Sequence, residues 1–132
     1  MAEPTDEPVA DALRLQRQAA AEGFDWTDAE GLWDKLAEET GELRRAASQA
    51  ERAEELGDLL FMVVNLARHL GVDPRTALAA ANRKFRRRFA YIMAHVHKLP
   101  PAGDPARLER MEALWQQAKR LERESAVGNR ES

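Results

Sequence analysis

Apolar side chains in this chain recur at every third or fourth position, and glycine or proline cuts that rhythm into separate lengths. No segment sustains the period-two alternation, rich in β-branched residues, that a half-buried strand requires. A helical period along the whole chain leaves helix-on-helix packing as the way to bury a core, so the spacing predicts an all-α fold. A first helix is expected from about Val9 to Glu22, stopped by Gly23, with Phe24-Asp25-Trp26 as a short aromatic connection. Thr27 or Asp28 can cap a second helix over about Ala29 to Ala47, and a third follows from about Ala50 to Leu70, ending at Gly71. Asp73 and Pro74 open a fourth helix that reaches about His95. The breaker Leu99-Pro100-Pro101-Ala102-Gly103-Asp104-Pro105 separates it from a fifth, over about Ala106 to Glu124.

With 132 residues the chain fits one domain, predicted over residues 9–125, with flexible tails at 1–8 and 126–132. Hydrophobic residues at 44% and charged residues at 33% argue against a disordered chain, and no apolar run approaches bilayer-spanning length. The acidic start, Met1 to Pro8, lacks a secretory signal pattern, so a cytoplasmic location without membrane attachment is expected. The absence of cysteine excludes disulfides, iron–sulfur clusters, thiolate zinc sites and cysteine nucleophiles. A net charge of −3 argues against nucleic acid as a general partner.

Acidic residues on the second and third helices fall where apolar ones belong. At about 100° per residue, with Leu36 at zero, Leu43 falls at about −20° and Glu39 at about −60°, with Glu42 one turn further along the same side. On the third helix, with Leu59 at zero, Leu66, Met62 and Val63 fall at about −20°, −60° and +40°; Glu55 lands at about −40° within that stripe and Asp58 at about −100° on its flank. Helices joined by a short turn pack antiparallel, so the Glu39/Glu42 and Glu55/Asp58 pairs converge. Like charges in a partly buried space are costly, so either the carboxyls take up protons or a cation sits among them. Oxygen-only ligation favours a hard ion, Mg²⁺ or Mn²⁺. Neither helix contains the Glu-x-x-His pairs of a ferritin-like di-iron site.

The fourth helix carries Arg83-Lys84-Phe85-Arg86-Arg87-Arg88-Phe89, in which Lys84 and Arg88 share one flank a turn apart and can hold consecutive phosphates. A solvated charge run is the plainer reading of the same residues. Trp115 and Lys119 are likewise one turn apart on the last helix, placed either in the core or against a ligand. Asn65 and Asn82 can reach a site or serve interhelical bonding. His69, His95 and His97 lack metal-ligand spacing and read as surface or packing residues.

Taken in order, these segments resemble the MazG family of nucleoside triphosphate pyrophosphohydrolases over about Leu13 to Arg120. The likeness is carried by Gly23-Phe24-Asp25-Trp26, by Lys35-Leu36-Ala37-Glu38-Glu39-Thr40-Gly41-Glu42 and by Glu54-Glu55-Leu56-Gly57-Asp58-Leu59-Leu60-Phe61. Val64-Asn65-Leu66-Ala67-Arg68, Ala81-Asn82-Arg83-Lys84-Phe85, Arg87-Arg88-Phe89 and Trp115-Gln116-Gln117-Ala118-Lys119-Arg120 complete it. The chain is most similar to the C-terminal half of two-copy members. The resemblance implies a four-helix-bundle-type all-α fold completed by oligomerisation, as a homodimer or a dimer of dimers. It also implies Mg²⁺-dependent hydrolysis of NTPs or dNTPs to monophosphate and pyrophosphate, in nucleotide-pool house-cleaning.

Carried over by position, the resemblance makes Glu39, Glu42, Glu55 and Asp58 the metal ligands and Glu38 the group that orients or deprotonates the attacking water. Lys35, Lys84 and Arg88 face the phosphates, with Trp115 and Lys119 near the nucleotide. Some relatives carry a lysine where this chain has Glu51, next to Arg52, so no phosphate role is assigned there. Two other readings stay open: a dUTP- or dCTP-preferring all-α pyrophosphatase, and a non-catalytic helical adaptor that grips nucleic acid.

Overall fold

The structure, a computed structural model, describes residues 7–131, with side chains as far as Gly128. Five α-helices account for it: α1 (Pro8–Ala21), α2 (Ala29–Arg45), α3 (Gln49–His69), α4 (Pro74–Ala94) and α5 (Pro105–Glu131), with a 3₁₀ turn at Val96–Lys98. No strand occurs among the described residues, as the apolar period requires.

Local chemistry explains where each helix begins. The Glu7 carboxylate accepts from Val9 N and Ala10 N, and Asp28 Oδ1 accepts from Glu30 N (3.1 Å) and Gly31 N (3.3 Å), which makes Asp28 rather than Thr27 the cap of α2. Ahead of α3, Glu51 N donates to Ser48 Oγ (3.1 Å) while the Glu51 carboxylate reaches back to Ala47 N (2.9 Å), satisfying two end groups reciprocally. At the other end, α1 and α3 close in the same way. Phe24 N bonds Ala19 O and Gly23 N bonds Ala20 O; Val72 N bonds Ala67 O and Gly71 N bonds Arg68 O. That pattern needs a left-handed residue past the cap, and Gly23 (φ 87°) and Gly71 (φ 72°) supply it without a Cβ clash.

The chain divides into two compact units, with the boundary inside α4 after Leu78. Of the expected tails, residues 1–6 and 132 lie outside the described residues, and Pro8 already belongs to α1. The fifth helix runs on to Glu131 rather than stopping near Glu124; no proline interrupts it, and Gly128 sits inside it.

In the first unit α2 and α1 both pack on α3. Leu32, wholly buried, meets Met62 and Leu66, with Ala29 and Leu36 alongside. A residue early in α2 touching residues late in α3 makes the pair antiparallel, so the end of α2 faces the start of α3. α1 contributes buried Leu13 and Gln16, the latter donating from Nε2 to Phe61 O of α3 at 2.9 Å. Val63 departs from the predicted stripe: it is exposed together with Leu56 and Leu60 of α3 and with Leu70 just past its end, within an arc of about 80°. In the second unit, α4 and α5 meet through Phe85 on Trp115 and through an Arg88–Glu122 ion pair, and Ile92 of α4 and Ala118 of α5 are buried.

Candidate functional site

The antiparallel pairing brings the acids of α2 and α3 together. Glu39, Glu42 and Glu55 each place one carboxylate oxygen within 4.8 Å of those of the other two, a set that could hold a metal ion. Glu39 is buried (6% exposed) because it rides on the same stripe as Leu32 and Leu36. Its Oε1 lies 3.1 Å from Lys35 Nζ one turn back, while its Oε2 is buried with no hydrogen-bond partner. Glu55 Oε2 is orphaned in the same way. Two buried carboxylate oxygens without donors are costly, and the missing partner must be a proton or a cation.

Electrostatics around the cluster agree with that demand. Burial pushes the Glu55 carboxyl above its ordinary range, and the facing Glu42, Glu39 and Asp58 carboxylates push it further. Lys35 moves upward as well, held charged first by its bond to Glu39 and helped by Glu38. Asp58 is exposed and lies outside the close trio, one turn beyond Glu55, near enough for its charge to act on Glu55. Glu38 is exposed beside the cluster, its Oε1 3.4 Å from Lys35 Nζ.

The remaining predicted residues lie in the second unit. Arg88 is buried and its guanidinium is engaged: Nε donates to Glu122 Oε2 (3.2 Å), Nη2 donates to the same oxygen (2.9 Å), and its Cζ lies 5.0 Å above the Trp115 ring. That pairing holds the Glu122 carboxyl below its usual range. Trp115 also tilts against Phe85, with ring centroids 5.8 Å apart. Lys84 is exposed and Lys119 partly buried.

Sequence reasoning missed Glu122, an unremarkable acid on a charged helix until its neighbour across the helix pair is known. It also missed a polar cluster near the C-terminal end of α3. Asp25 accepts from Arg68 Nη1 (3.1 Å) and meets His69 Nε2 (3.0 Å), and Asn65 Oδ1 accepts from Arg68 Nη2 (2.6 Å). The Asp25 carboxyl is accordingly held far below the carboxylate range, chiefly by Arg68. The one available signal was that Asp25-Trp26 and Asn65 through Arg68 both fall within the family motif.

An all-helical chain with three acidic side chains gathered from two antiparallel helices defines an acid-cluster helical domain. Its residues 27–93, just over half the chain, match the model of the MazG nucleotide pyrophosphohydrolase domain, and the chain belongs to that family. It is 43% identical over 108 residues to the nucleoside triphosphate pyrophosphohydrolase/pyrophosphatase MazG of Thermotoga maritima, covering 82% of this chain and 42% of that protein. It is 44% identical over 116 residues to the nucleoside triphosphate pyrophosphohydrolase of Escherichia coli K12, covering 84% of this chain and 44% of that protein. A 71-residue stretch is 44% identical to the uncharacterized protein YabN of Bacillus subtilis, covering 54% of this chain and 14% of that protein. The chain thus spans less than half the length of these relatives. No helix among the described residues is long and apolar enough to cross a membrane.

Proposed function

We propose that this chain hydrolyses nucleoside triphosphates to the monophosphate and pyrophosphate, with Mg²⁺ held by Glu39, Glu42, Glu55 and Asp58. The observation that carries this reading is the carboxylate trio with two orphaned buried oxygens. Four acids fit a hard divalent ion, since all donors are oxygen and the negative charge exceeds what Lys35 offsets. When bound, the ion supplies charge neutralisation for the triphosphate and a lowered pKa for water. Mn²⁺ is expected to substitute.

The residues then divide the work. Glu38 sits next to Glu39 in sequence but points to solvent, so it can take the proton of a water without leaving the metal-binding set. The water oxygen forms a new bond to phosphorus as the bridge between the α- and β-phosphates breaks. The electron pair of the broken P–O bond stays on the bridging oxygen, which leaves with whichever product, monophosphate or pyrophosphate, does not take the water oxygen, and the proton rests on Glu38. Lys35 keeps Glu38 and Glu39 oriented and offers its ammonium to the phosphates. Lys84 and Arg88 are assigned to phosphate, and Trp115 with Lys119 to the nucleotide, by their positions in the family motif. The physiological role that follows is removal of unwanted nucleotides in the cytoplasm.

The exposed face of Leu56, Leu60, Val63 and Leu70 on α3 favours a homodimer, because a continuous apolar strip on a helix is costly in water. Pyrophosphate release across a panel of NTPs and dNTPs with Mg²⁺ tests the activity. Release from the panel is expected, and its absence at every substrate would leave the non-catalytic adaptor as the better reading. A strong bias to dUTP or dCTP would narrow the substrate class.

A further inference from the structure

We propose that Glu122 is a positioning residue for phosphate binding, holding the Arg88 guanidinium over Trp115 with Nη1 left open for a triphosphate oxygen. This rests on the hydrolase reading above, which assigns Arg88 to phosphate by its place in the family motif. Glu122 itself lies two residues beyond the last motif position, Arg120.

A guanidinium presents five N–H donors, and here they are divided. Nε donates to Glu122 Oε2 at 3.2 Å and Nη2 to the same oxygen at 2.9 Å, so one side of the fork is spent on the carboxylate. Nη1 bonds no described residue and is not sealed from solvent. The Trp115 ring, 5.0 Å from Cζ, supports the guanidinium from one face. A cation as buried as Arg88, 9% exposed, would without a carboxylate be uncompensated and would turn its head to water. Glu122 removes both the cost and the freedom.

A carboxylate beside a phosphate-binding arginine would repel the phosphate unless its charge were offset. Arg87 provides the offset: its Nε donates to Glu122 Oε1 at 3.3 Å, so two guanidiniums share one carboxylate and the group stays net positive. The carboxyl remains ionised, because Arg88 above all holds it below its usual range. Helical phase puts Glu122 within reach. It follows Trp115 by seven residues, about 20° round α5 and about 10.5 Å along it, and Lys119 falls on the same side between them. The two α5 residues that the motif assigns to the nucleotide therefore share a flank with the carboxylate that orients Arg88.

Calorimetric titration with the α,β-methylene analogues of ATP, GTP, CTP and UTP in Mg²⁺ tests this, the analogue that the wild type binds most tightly serving as the probe. Glu122→Gln keeps the size but offers one uncharged oxygen where two arginines need acceptors, and should weaken the probe by about tenfold. Arg88→Ala should weaken it at least as much, and adding Glu122→Gln to Arg88→Ala should cost nothing further. Ile92→Val trims a buried side chain of α4 without touching the pair, so it separates orientation from loosened packing and should leave probe affinity unchanged. The proposal is overturned if Glu122→Gln binds the probe as well as the wild type, or more tightly, in which case Glu122 competes with phosphate. It is equally overturned if Ile92→Val weakens the probe as much as Glu122→Gln does, or if Arg88→Ala leaves it unaffected. In each of these cases the wild type still binds the probe and the hydrolase reading stands. A wild type that binds no analogue and releases pyrophosphate from no NTP removes the hydrolase reading and the role of Glu122 with it.

Discussion

Replacing Glu39 by glutamine isolates the charge that the cluster depends on. The substitution keeps the side chain's shape and leaves an amide oxygen for Lys35, but it removes one of three anionic oxygens gathered within 4.8 Å. Losing one charged ligand should weaken Mg²⁺ by about a hundredfold, the upper end of what even supporting groups around metal sites contribute. At a Mg²⁺ concentration about 100 times the wild-type dissociation constant, binding stabilises the fold by about 2.7 kcal/mol. For a chain of this length each kcal/mol moves the melting temperature by about 4 °C, so the wild type should gain about 11 °C. The variant, left near its own dissociation constant, should gain about 0.4 kcal/mol, or about 2 °C. Without metal the order reverses or levels, because Glu39→Gln relieves repulsion on Glu42 and Glu55 and the buried Oε2 position becomes uncharged. Thermal melts followed by circular dichroism, with EDTA and then Mg²⁺, read both effects. Equal Mg²⁺-induced shifts in the two proteins would refute the reasoning, as would a wild type that ignores Mg²⁺.

Four further expectations follow from the same structure. Leu32→Ala empties the one fully buried large side chain among the described residues and should cost about 2–5 kcal/mol, seen as an earlier urea midpoint with an unchanged m-value. Glu55 carries a raised pKa in the fold, so the metal-free protein is favoured where Glu55 holds its proton and loses that stability as pH rises from 4.5 through the raised value; Mg²⁺ affinity, measured by titration, should rise over the same interval. Asp25 has the opposite sign: its depressed pKa contributes stability above 3.8 that is lost as pH falls, so Asp25→Asn should flatten the acid limb of the pH–stability profile. Arg88→Ala strips Glu122 of its main partner and should destabilise by about 1–3 kcal/mol in denaturant melts, whereas Glu122→Gln, which keeps an acceptor, should cost less.

What could be read from the chain, and what could not, divides along sequence separation. The acid cluster was legible because helical phase is local: about 100° per residue puts Glu39 beside Leu36 and Glu55 beside Met62 before any fold is known, and a short turn leaves only the antiparallel arrangement. Helix ends were legible for the same reason, since Asp28, Gly23 and Gly71 act on groups within a turn of themselves. Periodicity could not, however, separate two apolar faces on one helix, and so it placed Val63 with Met62 although α3 buries one side and exposes the other. Nor could it find partners that loops deliver. Asp25 reaches Arg68 across 43 residues only because the turn at Gly23 carries the chain back over the end of α3. Arg88 reaches Glu122 across 34 residues by a helix pair whose register the proline-rich break leaves unspecified. Gln16 falls in the same gap, since in sequence it is one polar residue on the first helix. Its buried, half-satisfied amide becomes chemically meaningful only once Phe61 is known to occupy one end and nothing the other. Charged groups gathered by helical phase thus announce themselves as a pattern, while buried polar partners emerge from contacts between distant segments.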